Sequence, residues 1–323
     1  MISRRTMLEL SGAAGLSTVV SKAYAASYPD RTVRLIVPVP PGGALDIIGR
    51  IMAQWLTDRL GQTVIVENKP GAATNIGVEY VTRAIPDGYT LLLEPGSVAL
   101  NPSLYAKLPF DVARDIAPIA LISKLPLVFE INLGVPARTL PEFLTWAKAN
   151  RGKINLATAG VGTTQHIAGV LLCQMTGIEM TPVPFAGGGP ALVALMGEQV
   201  QAMFSPIPES MGPITSGQAR AIAVTTPQRL PMLPDVPTIA ETLPGFEAST
   251  FQGIGAPAGT PHDIVERLNK EINAALADPT INKRLLELGG IPTPGSSDDF
   301  GKHIVAETTK WGKVIRDAKI VVE

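Results

Sequence analysis

From Val33 onward, short β-branched runs alternate with helix-patterned runs, and this alternation restricts the chain more than any other feature. Val33–Val37, Thr63–Glu67 and Thr90–Leu93 read as strands, with helical patterns at Leu45–Leu60 and Ile76–Ala84 between them. A βαβαβ order predicts a parallel sheet covered by helices, because parallel neighbours need a crossover. A second series starts after Leu125. It predicts strands at Leu127–Ile131, Ile154–Ala157, Met180–Pro184, Ala202–Phe204 and Ala221–Val224, and helices at Leu140–Ala149, Thr164–Met175 and Ala191–Met196. Helices at Pro261–Ala277, Ile281–Leu288 and Ser297–Lys319 complete the pattern. Two α/β units with a helical tail predict a two-lobed α/β fold with the chain crossing between lobes near Pro126–Ile131 and Ser249–Gly255. Lobe 1 is then 28–127 plus 252–323, and lobe 2 is 128–251.

The amino terminus carries Ser3-Arg4-Arg5-Thr6-Met7-Leu8, a mildly apolar run to Val20, and the small-residue site Ala23-Tyr24-Ala25. This order is that of a twin-arginine export signal over residues 1–25. Glu9, Gly12 and Gly15 interrupt the run, which lacks the ~18 uninterrupted apolar residues of a membrane span. The expected location of the mature chain is the periplasm.

Charged residues are only 17% of the chain, and 27 Lys and Arg against 28 Asp and Glu leave a net charge of −1. That balance offers no basic face for nucleic acid. Cys173 is the single cysteine, and no His, Cys or acidic cluster has metal-ligand spacing, so no metal and no cofactor is expected.

Two strand–turn–helix junctions carry the chemistry. After the first strand comes Pro41-Gly42-Gly43-Ala44, with Asp46 the only charged side chain near the helix start. Glycines there admit φ > 0 and leave the helix amides open to an anion, although the same turn also serves as a plain βα connection capped by Asp46. The second junction is Gly160-Val161-Gly162-Thr163-Thr164-Gln165, a near miss to the dinucleotide fingerprint with Gln165 where the third glycine belongs. Thr163 and Thr164 are each open to a capping or a ligand role. His166, one turn into the helix, has its pKa lowered by the positive helix end and can be a donor or a buried structural residue. Ser97 and Ser205 lie near predicted loop ends without a G-x-S-x-G elbow. Phe185-Ala186-Gly187-Gly188-Gly189-Pro190 is a glycine loop open to lining a cleft.

In register, "YPDRTVRLIVPVPPGGALDIIGR", "VIVENKPGAATNIG", "PDGYTLLL", "NPSLYAKLPFD", "NLATAGVGTTQHIAG", "ALMGEQVQAMF", "LPDVPTIAE" and "GIGAPAGTP" resemble the periplasmic solute-binding receptors of tripartite tricarboxylate transporters, the Bug receptors. The resemblance implies a type II periplasmic-binding-protein fold that closes on a small carboxylate. It implies no catalysis, membrane transporter subunits as partners, and a monomer. Carried over, the carboxylate clamp is Pro41, Gly42, Gly43, Ala44 and Asp46 facing Thr158, Ala159, Gly160, Gly162, Thr163 and His166. Ser97, Phe185, Ala186 and Ser205 would shape the distal part.

Three places depart from the family pattern. They are Phe185-Ala186-Gly187 in place of Tyr-Lys-Gly, Ser205-Pro206 in place of an Asp, and Glu94 at the start of the loop after the third strand. A missing Lys and Asp with a gained Glu94 argue against a second strongly anionic ligand group. An aromatic, amide-bearing or amino-bearing monocarboxylate stands level with a dicarboxylate. The remaining readings are a ligand sensor for a membrane signalling protein and an exported α/β enzyme. The latter lacks a nucleophile–base–orienter set.

Export should leave a mature chain beginning at Ala26, and Arg4→Lys with Arg5→Lys should block it. Mass spectrometry of the periplasmic fraction checks both, and an intact Met1 terminus there would refute cleavage.

Overall fold

The computed structural model describes residues 28–322, so the expected export signal lies outside the described residues. Strand β1 (Val33–Val37) is buried along nearly its whole length, as a strand covered on both faces must be. Helix α1 (Ala44–Leu60) buries Ile48, Met52, Leu56 and Leu60 against that sheet and stops at Gly61, whose φ of 73° is left-handed. Strand β2 (Val64–Asn68), helix α2 (Asn75–Thr82) and strand β3 (Thr90–Pro95) complete the first unit. β1 pairs in parallel with both β2 and β3.

Helices α3 (Ser97–Leu104) and α4 (Val112–Asp115) lead into β4 (Ile116–Ile131), a 16-residue strand that belongs to two sheets. Its first part pairs antiparallel with β9 (Ser249–Pro257), from Ile116 opposite Pro257 to Pro126 opposite Ser249. From Leu127 onward its partner on one side is β7 (Ala202–Pro206), and from Val128 its partner on the other is β8 (Arg220–Val224). The second sheet continues through β5 (Asn155–Thr158) to β6 (Thr181–Pro184), in parallel. Helices α5 (Leu140–Ala149), α6 (Thr164–Thr176), α7 (Gly188–Met196), α8 (Ile207–Thr215) and α9 (Ile239–Thr242) accompany it. Phe143, Phe129, Phe204 and Phe246 form an aromatic row through its core.

The chain returns through β9, which pairs with β3 as well as β4, to α10 (His262–Ala277), α11 (Pro279–Glu287), β10 (Ile291–Pro292) and α12 (Ser297–Asp317). α12 touches both halves. Phe300, Trp311, Val314 and Ile315 join a core that includes Leu100 and Leu104 of α3 and Ile167 and Leu172 of α6. Gln174 Nε2 donates to the Val314 carbonyl at 3.1 Å.

Several elements are longer than the pattern predicts, or are absent from it. The expected strand Leu127–Ile131 is only the end of β4, because Pro118 and Pro126 punctuate the run. α3 and α8 hide behind Pro102 and behind Pro208 and Pro213. β9 looks like a glycine linker. Its glycines answer to packing instead, since a Cβ at Gly253 would overlap the Phe300 ring and one at Gly255 the Glu94 carboxyl.

Glu94 corrects another expectation. It does not open a loop but sits inside β3 opposite Gly253, fully buried, with no hydrogen-bond partner at either oxygen among the described residues. Burial pushes its pKa up to about 8, so near pH 7 it is mostly a neutral acid. It therefore places no negative charge at the cleft, and the argument from Glu94 against a second anionic ligand group fails. Between the ordinary glutamate pKa and 8 the native state holds a proton that the unfolded state has released, so stability must fall as pH rises across that window. Relative to Glu94→Gln, wild-type stability should drop by about 1.4 kcal/mol per pH unit at most between pH 5 and 8. Urea melts of both proteins at several pH values check this, and parallel curves would refute a buried neutral Glu94.

Candidate functional site

The turn between β1 and α1 is organised by Asp46. Its carboxylate, 2% exposed, accepts the Gly42 amide at 2.9 Å and Asn68 Nδ2 at 2.8 Å. Arg50, one turn on, donates Nε to Oδ2 at 2.9 Å and Nη2 to Oδ1 at 3.0 Å. Burial alone would raise the Asp46 pKa. The hydrogen bonds from Arg50, Gly42 and Asn68 win, and hold it at about 2. Asp46 is thus an ionised strut whose charge is already neutralised. Gly42 needs its glycine for φ of +94°, whereas Gly43 sits at φ −78° with nothing within 4 Å of an added Cβ. The space above the α1 amino terminus is open, and its first amides have no intrahelical acceptor.

The turn between β5 and α6 is built differently. Thr163 Oγ1 donates to the Gly160 carbonyl at 2.8 Å and, as the N-cap, accepts the His166 amide at 3.4 Å. The Gly162 amide donates to His166 Nδ1 at 3.1 Å. Burial lowers the His166 pKa, so a neutral ring accepting at Nδ1 shapes the turn from inside. Thr163 is therefore a cap, and its capping leaves the amides of Thr164 and Gln165 facing outward from the helix end.

A cavity of about 330 Å³ lies between these junctions. Leu45 of α1, Ala73 and Thr74, residues 95–97 and Asn101 border it from one side, and residues 161–165 from the other. Thr250, Phe251 and Gln252 of β9 complete it. The amino termini of α1, α3 and α6 all reach this space, and among the described residues its lining contains no Asp, Glu, Lys, Arg or His. Of the residues expected from the sequence, Ser97, Gly162 and Thr163 line it directly. Pro41, Gly42, Gly43 and Ala44 form the exposed turn that leads to Leu45. Asp46, Gly160 and His166 brace the two turns by the bonds above, and Thr158 and Ala159 lead into the second. Phe185 donates its amide to the Thr158 carbonyl at 2.9 Å, yet neither it, Ala186 nor Ser205 lines this cavity. Ser205 is fully buried within β7, opposite Val128.

Sequence reasoning missed three contributors. Arg50 was announced by the i, i+4 pairing with Asp46. Ala72, Ala73 and Thr74 take φ of 46°, 49° and 79°, a left-handed run rare outside glycine that brings Thr74 Oγ1 to 2.8 Å from Ser97 Oγ. Asn101 holds that run by donating to the Ala73 carbonyl at 3.0 Å and to Asn75 Oδ1 at 2.7 Å. The third contributor, Gln252, gave no signal beyond its position in a strand read as a linker.

A larger groove of about 920 Å³ on the outer side of α2 contains Arg31, Arg34, Lys69 and Arg83. Each cation is paired: Arg31 with Asp87 at 2.8 Å, Arg34 with Glu67 at 3.3 Å, Lys69 with Glu67 at 2.8 Å, and Arg83 with Glu79. Glu67 serves both Arg34 and Lys69, so four cations meet three acids, and the lining includes none of the starts of α1, α3 and α6. Among the described residues no group of three His, Cys, Asp or Glu is placed to hold a metal, and no helix is long and apolar enough to cross a membrane.

Comparison with known proteins gives one answer. Residues 48–320 match the model of the tripartite tricarboxylate transporter family receptor. The chain is 34% identical to protein BugT of Bordetella pertussis over 94% of this chain and 93% of that one. Among solved structures it is similar to Rpa4515 of R. palustris with adipate, at 32% identity and a TM-score of 0.79, covering 92% of this chain and 100% of the other. It is also similar to MatC of Rhodopseudomonas palustris with bound malate, at 31% identity and a TM-score of 0.73, covering 89% and 100%. A two-lobed α/β fold, two glycine turns meeting at one cavity and these matches together place the chain in the tripartite tricarboxylate transporter receptor family, whose members are solute-binding receptors.

Proposed function

We propose that this receptor binds a small organic carboxylate in the periplasm and delivers it, as a monomer, to the membrane subunits of its transporter. The observation that carries the reading is the convergence of three helix amino termini on a cavity that no charged side chain lines among the described residues. Each helix end is equivalent to roughly half a positive charge. A carboxylate is the common metabolite group that matches this potential and accepts from several amides at once. The adipate and malate of the two similar structures support the same class.

The ligand-facing amides are assigned to Gly43 and Ala44 against Thr164 and Gln165, with Gly42, Gly162 and Thr163 shaping the two turns and Asp46, Gly160 and His166 holding them. The lobes are 28–127 plus 252–323 and 128–251, and the hinge lies where β4 passes from one sheet to the other and β9 begins. Because each turn belongs to a different lobe, only the closed form engages the ligand fully. Saturating carboxylate should reduce the radius of gyration in small-angle scattering, and an unchanged curve would mean a rigid site.

Charge handling gives the sharper test. Two bare carboxylates at ~4 Å in an effective dielectric near 20 repel by roughly 4 kcal/mol. Arg50 removes most of that cost by neutralising Asp46, and amides stand between Asp46 and the ligand space. Gly43→Val, which strains nothing in the backbone, should weaken carboxylate binding at least 100-fold by filling the space above the amides, about 2.7 kcal/mol. Asp46→Asn should cost only several-fold. Arg50→Gln should cost about tenfold by exposing the Asp46 charge, and adding Asp46→Asn should restore most of it. Calorimetry on the four variants decides. Unchanged affinity in Gly43→Val sinks the clamp, and no rescue in the double variant sinks the charge argument.

A further inference from the structure

The clamp uses the amino termini of α1 and α6 and leaves out that of α3. The first residue of α3, Ser97, lies beside Thr74, with the two hydroxyl oxygens 2.8 Å apart. One hydroxyl donates to the other, so one proton of the pair remains, and neither oxygen has a further partner among the described residues. Both residues line the cavity. Thr74 is set there by the left-handed run Ala72-Ala73-Thr74, which Asn101 braces by donating to the Ala73 carbonyl. A β-branched residue resists a φ of 79°, so the turn keeps a hydroxyl at this point against the preference of its backbone. On β9, opposite Pro95, Gln252 lines the same cavity and is 6% exposed. Its Oε1 is enclosed, which leaves the amide nitrogen, without an acceptor among the described residues, as the part of the group open to the cavity.

We infer that the start of α3, the Thr74–Ser97 hydroxyl pair and Gln252 Nε2 form a second subsite, which takes a hydrogen-bond acceptor of the ligand other than the clamped carboxylate. This rests on the carboxylate reading above and narrows it. The positive end of α3 favours an electronegative ligand atom here, and the hydroxyl proton and the amide N–H groups can both donate to it. Each of these donors is neutral, so the acceptor needs no charge. A carbonyl, hydroxyl or second carboxyl oxygen along the chain of the acid meets the requirement. An alkyl segment does not, because it takes the donors from water and gives them no partner.

Three probes of equal chain length isolate the acceptor from charge and from donors: hexanoate, 4-oxohexanoate and 5-oxohexanoate, titrated by calorimetry at pH 7 into the mature protein. At least one oxo acid should bind roughly five- to tenfold tighter than hexanoate, the worth of one or two hydrogen bonds. That ratio should fall toward one in Thr74→Ala with Ser97→Ala, and by about threefold in Gln252→Met. Thr74→Ser keeps the hydroxyl and sheds the β-branch that resists the left-handed turn, so it should keep the ratio without lowering the melting temperature. If the double variant loses its cooperative thermal transition, Gln252→Met and Thr74→Ser still carry the test. Neither oxo acid binding tighter than hexanoate overturns the inference, as does a ratio unchanged in the variants or lost in Thr74→Ser. A ratio that falls in only one of the two variants overturns the role of the residues altered in the other. Binding of none of the three probes refutes the carboxylate clamp, and this subsite with it.

Discussion

An α-helix cannot satisfy its first amides from within itself. This chain places that deficiency three times around one cavity, at Ala44, Ser97 and Thr164, and the rest of the architecture serves to hold those helix ends together. Each turn is stiffened by a residue behind it rather than by one pointing into the cavity. Asp46 draws in the Gly42 amide, and His166 accepts the Gly162 amide. Both donors are glycines at positive φ, where the backbone reverses, so the bracing residue fixes a conformation that other residues would resist.

The long strand β4 determines how those ends can move relative to each other. One continuous strand in two sheets keeps both halves in register, and its partners change between Pro126, opposite Ser249, and Leu127, opposite Pro206. A Cβ at Gly162 would lie 2.8 Å from Leu104 Cδ1 and 3.3 Å from Val322 Cγ2, so the second turn packs closely on α3 and on the chain after α12. Val322 in turn donates its amide to the Leu104 carbonyl at 3.1 Å. On the proposed hinge motion, opening would separate Gly162 from both side chains, and this apolar contact would hold the two sides together without ligand.

The alternation of strands and helices and both turns were legible because their signals are local. β-branched runs end in Pro or Gly, and apolar residues then recur at i, i+3 and i+4, as Ile48, Ile51 and Met52 do. What stayed hidden depends on partners distant in the chain. Gly253 and Gly255 read as a linker because their purpose, room for Phe300 and Glu94, lies 47 positions ahead and 161 positions behind respectively. Glu94 read as a charged loop residue near the site because nothing in its neighbourhood reveals that Ile116 and Gly255 enclose it. Arg50 was different. Its spacing from Asp46 was visible, and the question of an unopposed acid beside an anion site had its answer four residues away.

The absence of a cation among the described residues that line the cavity bears on release as much as on capture. A ligand carboxylate paired with a buried Arg or Lys on one lobe would keep that partner when the lobes part, so opening alone would not free it. Amide donors split between two lobes behave otherwise. Each lobe offers only part of the set, and on opening water replaces the other part at little cost. On the proposed closure, affinity would depend mainly on the population of the closed form, and a partner that favoured the open form would lower it by the factor by which it shifted that population. Neutralising Asp46 through Arg50 fits this scheme. Their mutual bonds lie within one turn of α1, so on the proposed opening they would remain intact and the charge balance of the site would not change.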